Sequence, residues 1–138
     1  ELDSSLVERG VAQGLDVVHG DALGYLRAQP AGSLDAVFSA QFIEHLEPAR
    51  LVELLALAKD RLRPEGTFIA ETVNPECYEA LKTFHVDLTH QRPIYPQVLL
   101  SLCREAGFSS ARIFYPLGGG FTQTHYERGG EYAVVAVA

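Results

Sequence analysis

A chain of 138 residues that is 47% hydrophobic is the size of one domain, taken as residues 1–138, and can bury a real core. Its formal charge is −7 and its 11 Lys and Arg form no block, which argues against nucleic acid as a partner, because phosphate neutralisation needs clustered positive charge. No apolar run reaches the roughly 18 residues of a membrane span, no charged-then-apolar leader opens the chain, and Cys77 and Cys103 stand too far apart for a metal or redox motif, so a cytoplasmic setting is expected.

The opening ELDSS reads like the last residues of a strand, and with no Met in the chain the sequence reads as a piece of a longer protein. SLVE at Ser5–Glu8 fits a capping box, with Ser5 taking the third amide and Glu8 returning to the cap, and the short helix that follows stops at Gly14. LDVVHGD is next a strand of mostly buried type, ALGYLRAQ a short helix and LDAVFSA a second buried strand. EPARLVELLALAKDRLRPEG is the clearest helix. Pro48 suits its first position, Leu51, Leu54, Leu55, Ala58 and Leu62 recur on one face, and Pro64 and Gly66 stop it. TFIAETV is the third strand, PQVLLSLCREAGF a helix closed by Gly107, and SARIFYP and EYAVVAVA the last strands. The Gly-rich join between those two strands carries no helix of its own, which fits an antiparallel pair.

Strands alternating with helices imply a mostly parallel sheet, and in such sheets ligands sit at the carboxyl ends of the strands. The segment from Glu71 to Pro96 leaves such an end. Past Asn74 it carries Pro75, His85, Asp87, His90, Arg92, Pro93 and Tyr95 with little apolar period, which is more than a plain connector needs.

GLDVVHGDA, LDAVFSAQFIEHL, LRPEGTFIAET and EAGFSSARIFY together resemble, in order and spacing, the stock segments of the class I methyltransferases that use S-adenosylmethionine, over essentially the whole chain. The segment ETVNPE…DLTHQRPIYP further resembles a bacterial subgroup associated with O-methylation of polysaccharides and other glycans. The resemblance implies an α/β fold, a Rossmann-like doubly wound sheet with a C-terminal antiparallel pair. It also implies a glycine-rich first motif, strand and turn, that does not occur before Asp21, so the N-terminal strand and helix are expected to lie upstream in the parent protein. S-adenosylmethionine is the implied cofactor and S-adenosylhomocysteine the product. Glu1 is implied to bind the ribose hydroxyls, Asp21 the adenine amino group with the Ala22 amide facing the ring, and Ser39, Ala40, Gln41 and Phe42 to line the methionine end. Asp21 also fits an ordinary helix N-cap, and Glu1 a frayed terminus.

Methyl transfer from a sulfonium is an in-line displacement, and a hydroxyl acceptor must also lose a proton to a base. IEHL puts Glu44 and His45 beyond a strand end, and HVDLTH puts His85, Asp87 and His90 on the segment opposite. His45 and His90 are the candidate bases, with Asp87 expected to orient His90 by a direct hydrogen bond; the same groups would equally suit bonds that hold an irregular loop. Arg92 suits a phosphate or carboxylate on the acceptor and Tyr95 a sugar face, with Glu44, Asn74 and His85 beside them. Asn74 also suits an Asx turn before Pro75. Some relatives bind a divalent metal through Glu-x-x-Glu-His, but Gln41 replaces the first Glu and two ligands do not make a site, so no metal is expected. His125 and Tyr126 in the last join read as exposed loop. The expected partner is a sugar, glycan or small-molecule acceptor, with N-methylation open. The rival readings are an inactive methyltransferase-like scaffold and a nicotinamide-dependent oxidoreductase, which the closing antiparallel pair fits poorly.

Overall fold

The structure, a computed structural model, describes residues 1–117, 120–121 and 129–138; His125 and Tyr126 lie outside them. Helix α1 spans Ser4–Ala12, α2 Ala22–Ala28, α3 Pro48–Arg61, α4 Tyr78–Phe84 and α5 Pro96–Glu105. Strand β1 spans Leu34–Ala40, β2 Leu62–Val73, β3 Ser110–Phe114, β4 Pro116–Leu117, β5 Gly120–Phe121 and β6 Glu131–Val137. The main sheet has the order β1-β2-β6-β3, with β1 parallel to β2 and β6 antiparallel to both β2 and β3. Strands β1, β2 and β3 therefore point one way and end on a common edge, and the closing antiparallel pair is present as β3 and β6.

One face of the sheet carries Phe68, Ala70, Tyr132, Val134 and Ala136, all fully buried. Against it lie Leu51, Leu54, Leu55 and Ala58 of α3 and Leu99, Leu100 and Cys103 of α5, the helical spacing read from the sequence. Each such aliphatic side chain contributes about 1.5–3 kcal/mol on burial. On the opposite face Phe38 is 66% exposed.

Three of the differences from the sequence reading lie at α1, at residues 15–19 and at the end of α3. The cap of α1 is Asp3, whose Oδ1 accepts from the Ser5 amide at 2.8 Å and the Leu6 amide at 3.4 Å, and Ser5 sits inside the helix. A carboxylate two residues upstream is a stronger acceptor at the positive helix end than the Ser5 hydroxyl. Residues 15–19 form no strand. A strand needs a ladder, and what pairs here is a single step: the Glu1 amino group donates to the Val18 carbonyl at 3.1 Å and the Gly20 amide to the Glu1 carbonyl at 2.9 Å. Strand β1 takes β2 as its partner instead.

The third difference is at the end of α3. The helix stops at Arg61, and Pro64 and Gly66 lie within β2. The register jumps from Leu34↔Leu62 to Ala36↔Thr67, so β2 bulges, and Glu65 takes a left-handed φ of 65° within it. Pro64 is tolerated there because the ladder is already interrupted. Gly66 is required there, since a Cβ would stand 2.8 Å from the Arg63 carbonyl oxygen.

Candidate active site

Beyond Ala40 the chain leaves β1 through Gln41, whose φ of 47° is left-handed for a residue with a Cβ. Such a conformation costs about 1–2 kcal/mol, and the neighbours hold it in place. The Gln41 amide donates to the Glu71 carbonyl at 3.0 Å and its Nε2 to Glu131 Oε1 at 3.4 Å. This turn launches a short 3-10 helix, Ile43–His45, that sinks Ile43 and Glu44 into the interior and leaves His45 half-buried at the carboxyl edge of the sheet.

The segment after β2 folds back over that turn. Asn74 is fully buried: its Nδ2 donates to the Gly129 carbonyl at 2.9 Å, and its Oδ1 accepts from the Glu76 amide at 3.0 Å in the Asx turn expected before Pro75. Both ends of the amide thus hold the loop. Helix α4 follows, an element that the sequence reading left as irregular. The Gln91 amide then donates to the Glu44 carbonyl at 2.9 Å and clamps the returning segment onto the 3-10 turn.

That clamp brings His45 and His90 together, ring centroids 4.6 Å apart and planes tilted by 58°. The Phe84 ring is also against His90, with centroids 4.4 Å apart. His90 Nδ1 donates to the Phe84 carbonyl at 2.7 Å, which leaves Nε2 as the nitrogen with a lone pair. Thr89 Oγ1 donates to Asp87 Oδ1 at 2.6 Å, so toward His45 Nδ1, 2.9 Å away, that oxygen offers lone pairs and the imidazole donates. His45 too is left with its Nε2 open. The Thr89 hydroxyl, and after it the Thr89 amide, hold the Asp87 carboxyl below the usual range.

The expected Asp87–His90 hydrogen bond is not formed. Asp87 Oδ2 stands 3.8 Å from His90 Nε2, beyond hydrogen-bond reach, and the group that orients His90 is the Phe84 carbonyl. Asp87 orients His45 instead, through Thr89. Sequence reasoning passed over Thr89, although Asp87-Leu88-Thr89 has the spacing of an Asx turn and the Thr89 amide does donate to Asp87 Oδ1 at 2.8 Å.

The carboxyl ends of β1 and β2 and the turn beyond β1 also carry buried polar atoms. Both carboxylate oxygens of Glu44, the Ser39 hydroxyl and the Thr72 hydroxyl are buried with no hydrogen-bond partner among the described residues. Tyr132 is fully buried as well, its hydroxyl donating to the Ile94 carbonyl at 2.8 Å. Burial, and next to it the Glu44 carboxylate, raise the Tyr132 phenol far above its ordinary range. Thr72 was legible as a polar residue on the inward period of Phe68 and Ala70, but was not singled out.

No family model and no curated protein matches the chain. Among solved structures it is similar to a SAM-dependent methyltransferase from Archaeoglobus fulgidus, at a TM-score of 0.86 and 26% identity over 100% of this chain and 74% of that one. A SAM-dependent methyltransferase from Thermotoga maritima, described as a possible histamine N-methyltransferase, matches at 0.77 and 18% identity over 99% and 70% of the two chains. One from Mesorhizobium loti matches at 0.70 and 20% identity over 100% and 78%. The chain has the fold of the class I S-adenosylmethionine-dependent methyltransferases.

Within this methyltransferase fold the remaining predicted residues lie at several separate positions. Asp21 caps α2: its Oδ2 accepts from the Gly24 amide at 2.9 Å, and Arg50 Nη2 donates to both carboxylate oxygens at 3.1 and 3.2 Å. The Gly24 amide first, then Arg50, hold the Asp21 carboxyl below its usual range. Ala22 opens that helix. Glu1 is exposed, with Oε1 accepting from the amides of Leu2 and Asp3 at 2.8 and 2.9 Å. Ser39, Ala40, Gln41 and Phe42 line the exit from β1, Ser39 buried and Phe42 packed on the core. His85 caps the end of α4, Tyr95 opens α5 with its ring half-exposed, and Arg92 is exposed, with no ion pair among the described residues.

Proposed function

We propose that residues 1–138 serve one catalytic domain, an S-adenosylmethionine-dependent methyltransferase acting on a hydroxyl of a sugar, a glycan or another small acceptor. The observation that carries this reading is the fold likeness over 100% of the chain, at a TM-score of 0.86, with a pair of base-ready imidazoles at the carboxyl edge of its sheet. The buried Ser39 and Thr72 hydroxyls at that edge, unpartnered among the described residues, fit a site that a polar cofactor completes.

Bound S-adenosylmethionine supplies a methyl group on a sulfonium, open to in-line displacement by the acceptor oxygen, with the bonding pair left on sulfur in S-adenosylhomocysteine. The chain's own task is to hold the acceptor in line and take its proton. His90 Nε2 and His45 Nε2 are the proposed bases, each ring fixed in its tautomer by an oxygen on Nδ1. The half-exposed Tyr95 ring suits a sugar face, and the Arg92 guanidinium suits an anionic group on the acceptor. Glu1 would bind the cofactor's ribose hydroxyls and Asp21 its adenine amino group. Two cysteines outside any disulfide support a cytoplasmic setting. No helix among the described residues is long and apolar enough to cross a membrane.

Calorimetric titration of S-adenosylhomocysteine into the protein tests the reading. A dissociation constant on the order of micromolar is expected, and an absence of binding would overturn it.

A further inference from the structure

Glu44 is fully buried, and neither of its carboxylate oxygens meets a donor among the described residues. An ionised carboxylate in that state costs several kcal/mol, which only a counter-charge, a proton or a metal ion offsets. No Lys or Arg forms an ion pair with it among the described residues. What it faces are two imidazoles. A carboxylate oxygen of Glu44 and one ring nitrogen from each of His45 and His90 lie within 4.8 Å of one another.

We propose that Glu44, His45 and His90 form a binding site for one divalent transition-metal cation of the Zn²⁺, Co²⁺ or Mn²⁺ class. Three observations converge. The donor set of two imidazoles and one carboxylate suits borderline metals better than Mg²⁺ or Ca²⁺, which prefer oxygen ligands throughout. The tautomers are those of metal ligands, because each Nδ1–H is given to an oxygen, the Phe84 carbonyl for His90 and Thr89 Oγ1 for His45, so Nε2 is open on both rings. The buried carboxylate supplies negative charge, and no Lys or Arg forms an ion pair with it among the described residues.

Donors about 2.1 Å from a tetrahedral ion stand roughly 3.4 Å apart, so groups already within 4.8 Å of one another close onto an ion by side-chain adjustment. Asp87 Oδ2, 3.8 Å from His90 Nε2, adds negative charge beside the site. Only two of the ligands are adjacent in sequence, and Gln41 fills the position of a further carboxylate, which is why the motif alone gave no site. His90 arrives through the clamp of the Gln91 amide on the Glu44 carbonyl.

Three protein ligands leave a coordination position for water or for an acceptor oxygen. What the ion does there rests on the methyltransferase reading: with both Nε2 lone pairs engaged by the ion, the ion would take the place of an imidazole base by lowering the pKa of a coordinated acceptor hydroxyl, whose proton would pass to water. Whether it binds does not depend on that reading.

The test is titration of the metal-stripped protein with Co²⁺, followed by its visible d–d absorption, and with Zn²⁺ by calorimetry. The variants are Glu44→Gln, His90→Ala and His90→Gln, with circular dichroism on each and S-adenosylhomocysteine titrated in parallel. The expected result is one equivalent of Co²⁺ and of Zn²⁺ per chain, weakened at least tenfold in each folded variant. Wild-type protein that binds neither ion, or folded variants that bind both as tightly as wild type, would overturn the proposal. If that happens with S-adenosylhomocysteine still bound, the methyltransferase reading survives; metal binding without S-adenosylhomocysteine binding leaves the metal site and sinks that reading. His90→Gln keeps the site testable if His90→Ala does not fold.

Discussion

Asp87 and His45, far apart in the chain, are joined through a single hydroxyl. Thr89 Oγ1 donates to Asp87 Oδ1 at 2.6 Å and lies 2.9 Å from His45 Nδ1, so the carboxylate fixes the tautomer of an imidazole that it does not touch. His90 is fixed separately, by the Phe84 carbonyl. The two rings that face each other therefore have independent supports, and their contributions are separable by mutation.

Thr89 is a positioning residue in this arrangement. Thr89→Val keeps the shape but removes the oxygen, releasing His45 Nδ1 and leaving Asp87 with only the Thr89 amide. Turnover is expected to fall about tenfold, in the lower part of the range for loss of general-base assistance, with binding of S-adenosylhomocysteine unchanged. The pH–rate profile should shift in Thr89→Val and return in Thr89→Ser, which restores the hydroxyl. An unchanged profile with normal turnover would show that Thr89 only holds the loop.

Asp21 combines a structural task with its proposed cofactor contact, and two substitutions separate them. Asp21→Ala removes the cap of α2 and is expected to cost about 1 kcal/mol, whereas Asp21→Asn caps almost as well and loses only the pair with Arg50. Both partners of that pair are substantially exposed, so it contributes at most a few tenths of a kcal/mol, roughly. The Asp21 carboxyl is held below its unfolded value, so its contribution to stability is present above the unfolded pKa and is lost as pH falls through the folded one. Urea melts should separate wild type from Asp21→Asn at pH 7, and the gap should narrow as pH falls below about 3.9, the unfolded value. A constant gap across that range would count against the linkage.

The parts legible in the sequence were those whose signal is local and periodic. LDAVFSA and PARLVELLALA carry their partners' requirements in their own spacing, and β1 and α3 fall where that spacing puts them. LDVVHGD has the same composition as a buried strand, but a strand is a relation between two segments, and residues 15–19 make no ladder with any described strand. Helix α4 was missed because it is 7 residues long and Cys77, at its N-cap, makes no side-chain cap bond. At the site, Glu44 and His45 were named from a strand end, and His90 from its company. Their meeting depends on the Gln91 amide reaching the Glu44 carbonyl, a long-range backbone contact that no residue type announces. The capping carboxylate of Asp3 was readable and was passed over for a serine motif two residues later.

The bulge that sets the register of β2 on β1 depends on Gly66. A Cβ there would stand 2.8 Å from the Arg63 carbonyl oxygen, 3.1 Å from Leu62 Cδ2 and 3.2 Å from the Asp35 carbonyl oxygen. Two of those neighbours are backbone and cannot swing aside. Gly66→Ala should cost about 1–3 kcal/mol and lower the melting temperature by several degrees. Gly20→Ala, where a Cβ meets nothing within 4 Å, should stay within about 0.5 kcal/mol of wild type. Equal melting temperatures for the two variants would mean that the bulge yields.

The two cysteines should report unfolding. Cys103 packs in the core between α5 and the sheet, and burial raises its thiol to about 12. At pH 8 its thiolate fraction is then on the order of one in ten thousand, and the thiolate is the reactive form. Cys77 is only partly buried, ahead of α4. A chromogenic disulfide reagent should therefore titrate one thiol per chain in native buffer and two in guanidinium, with Cys77→Ser removing the native signal. The slow reaction of Cys103 should follow global unfolding, because its shielding comes from the same packing of Leu99, Val134 and Phe108 that holds α5 on the sheet. Labelling of both thiols at one rate in native buffer would mean that α5 opens without the rest of the fold.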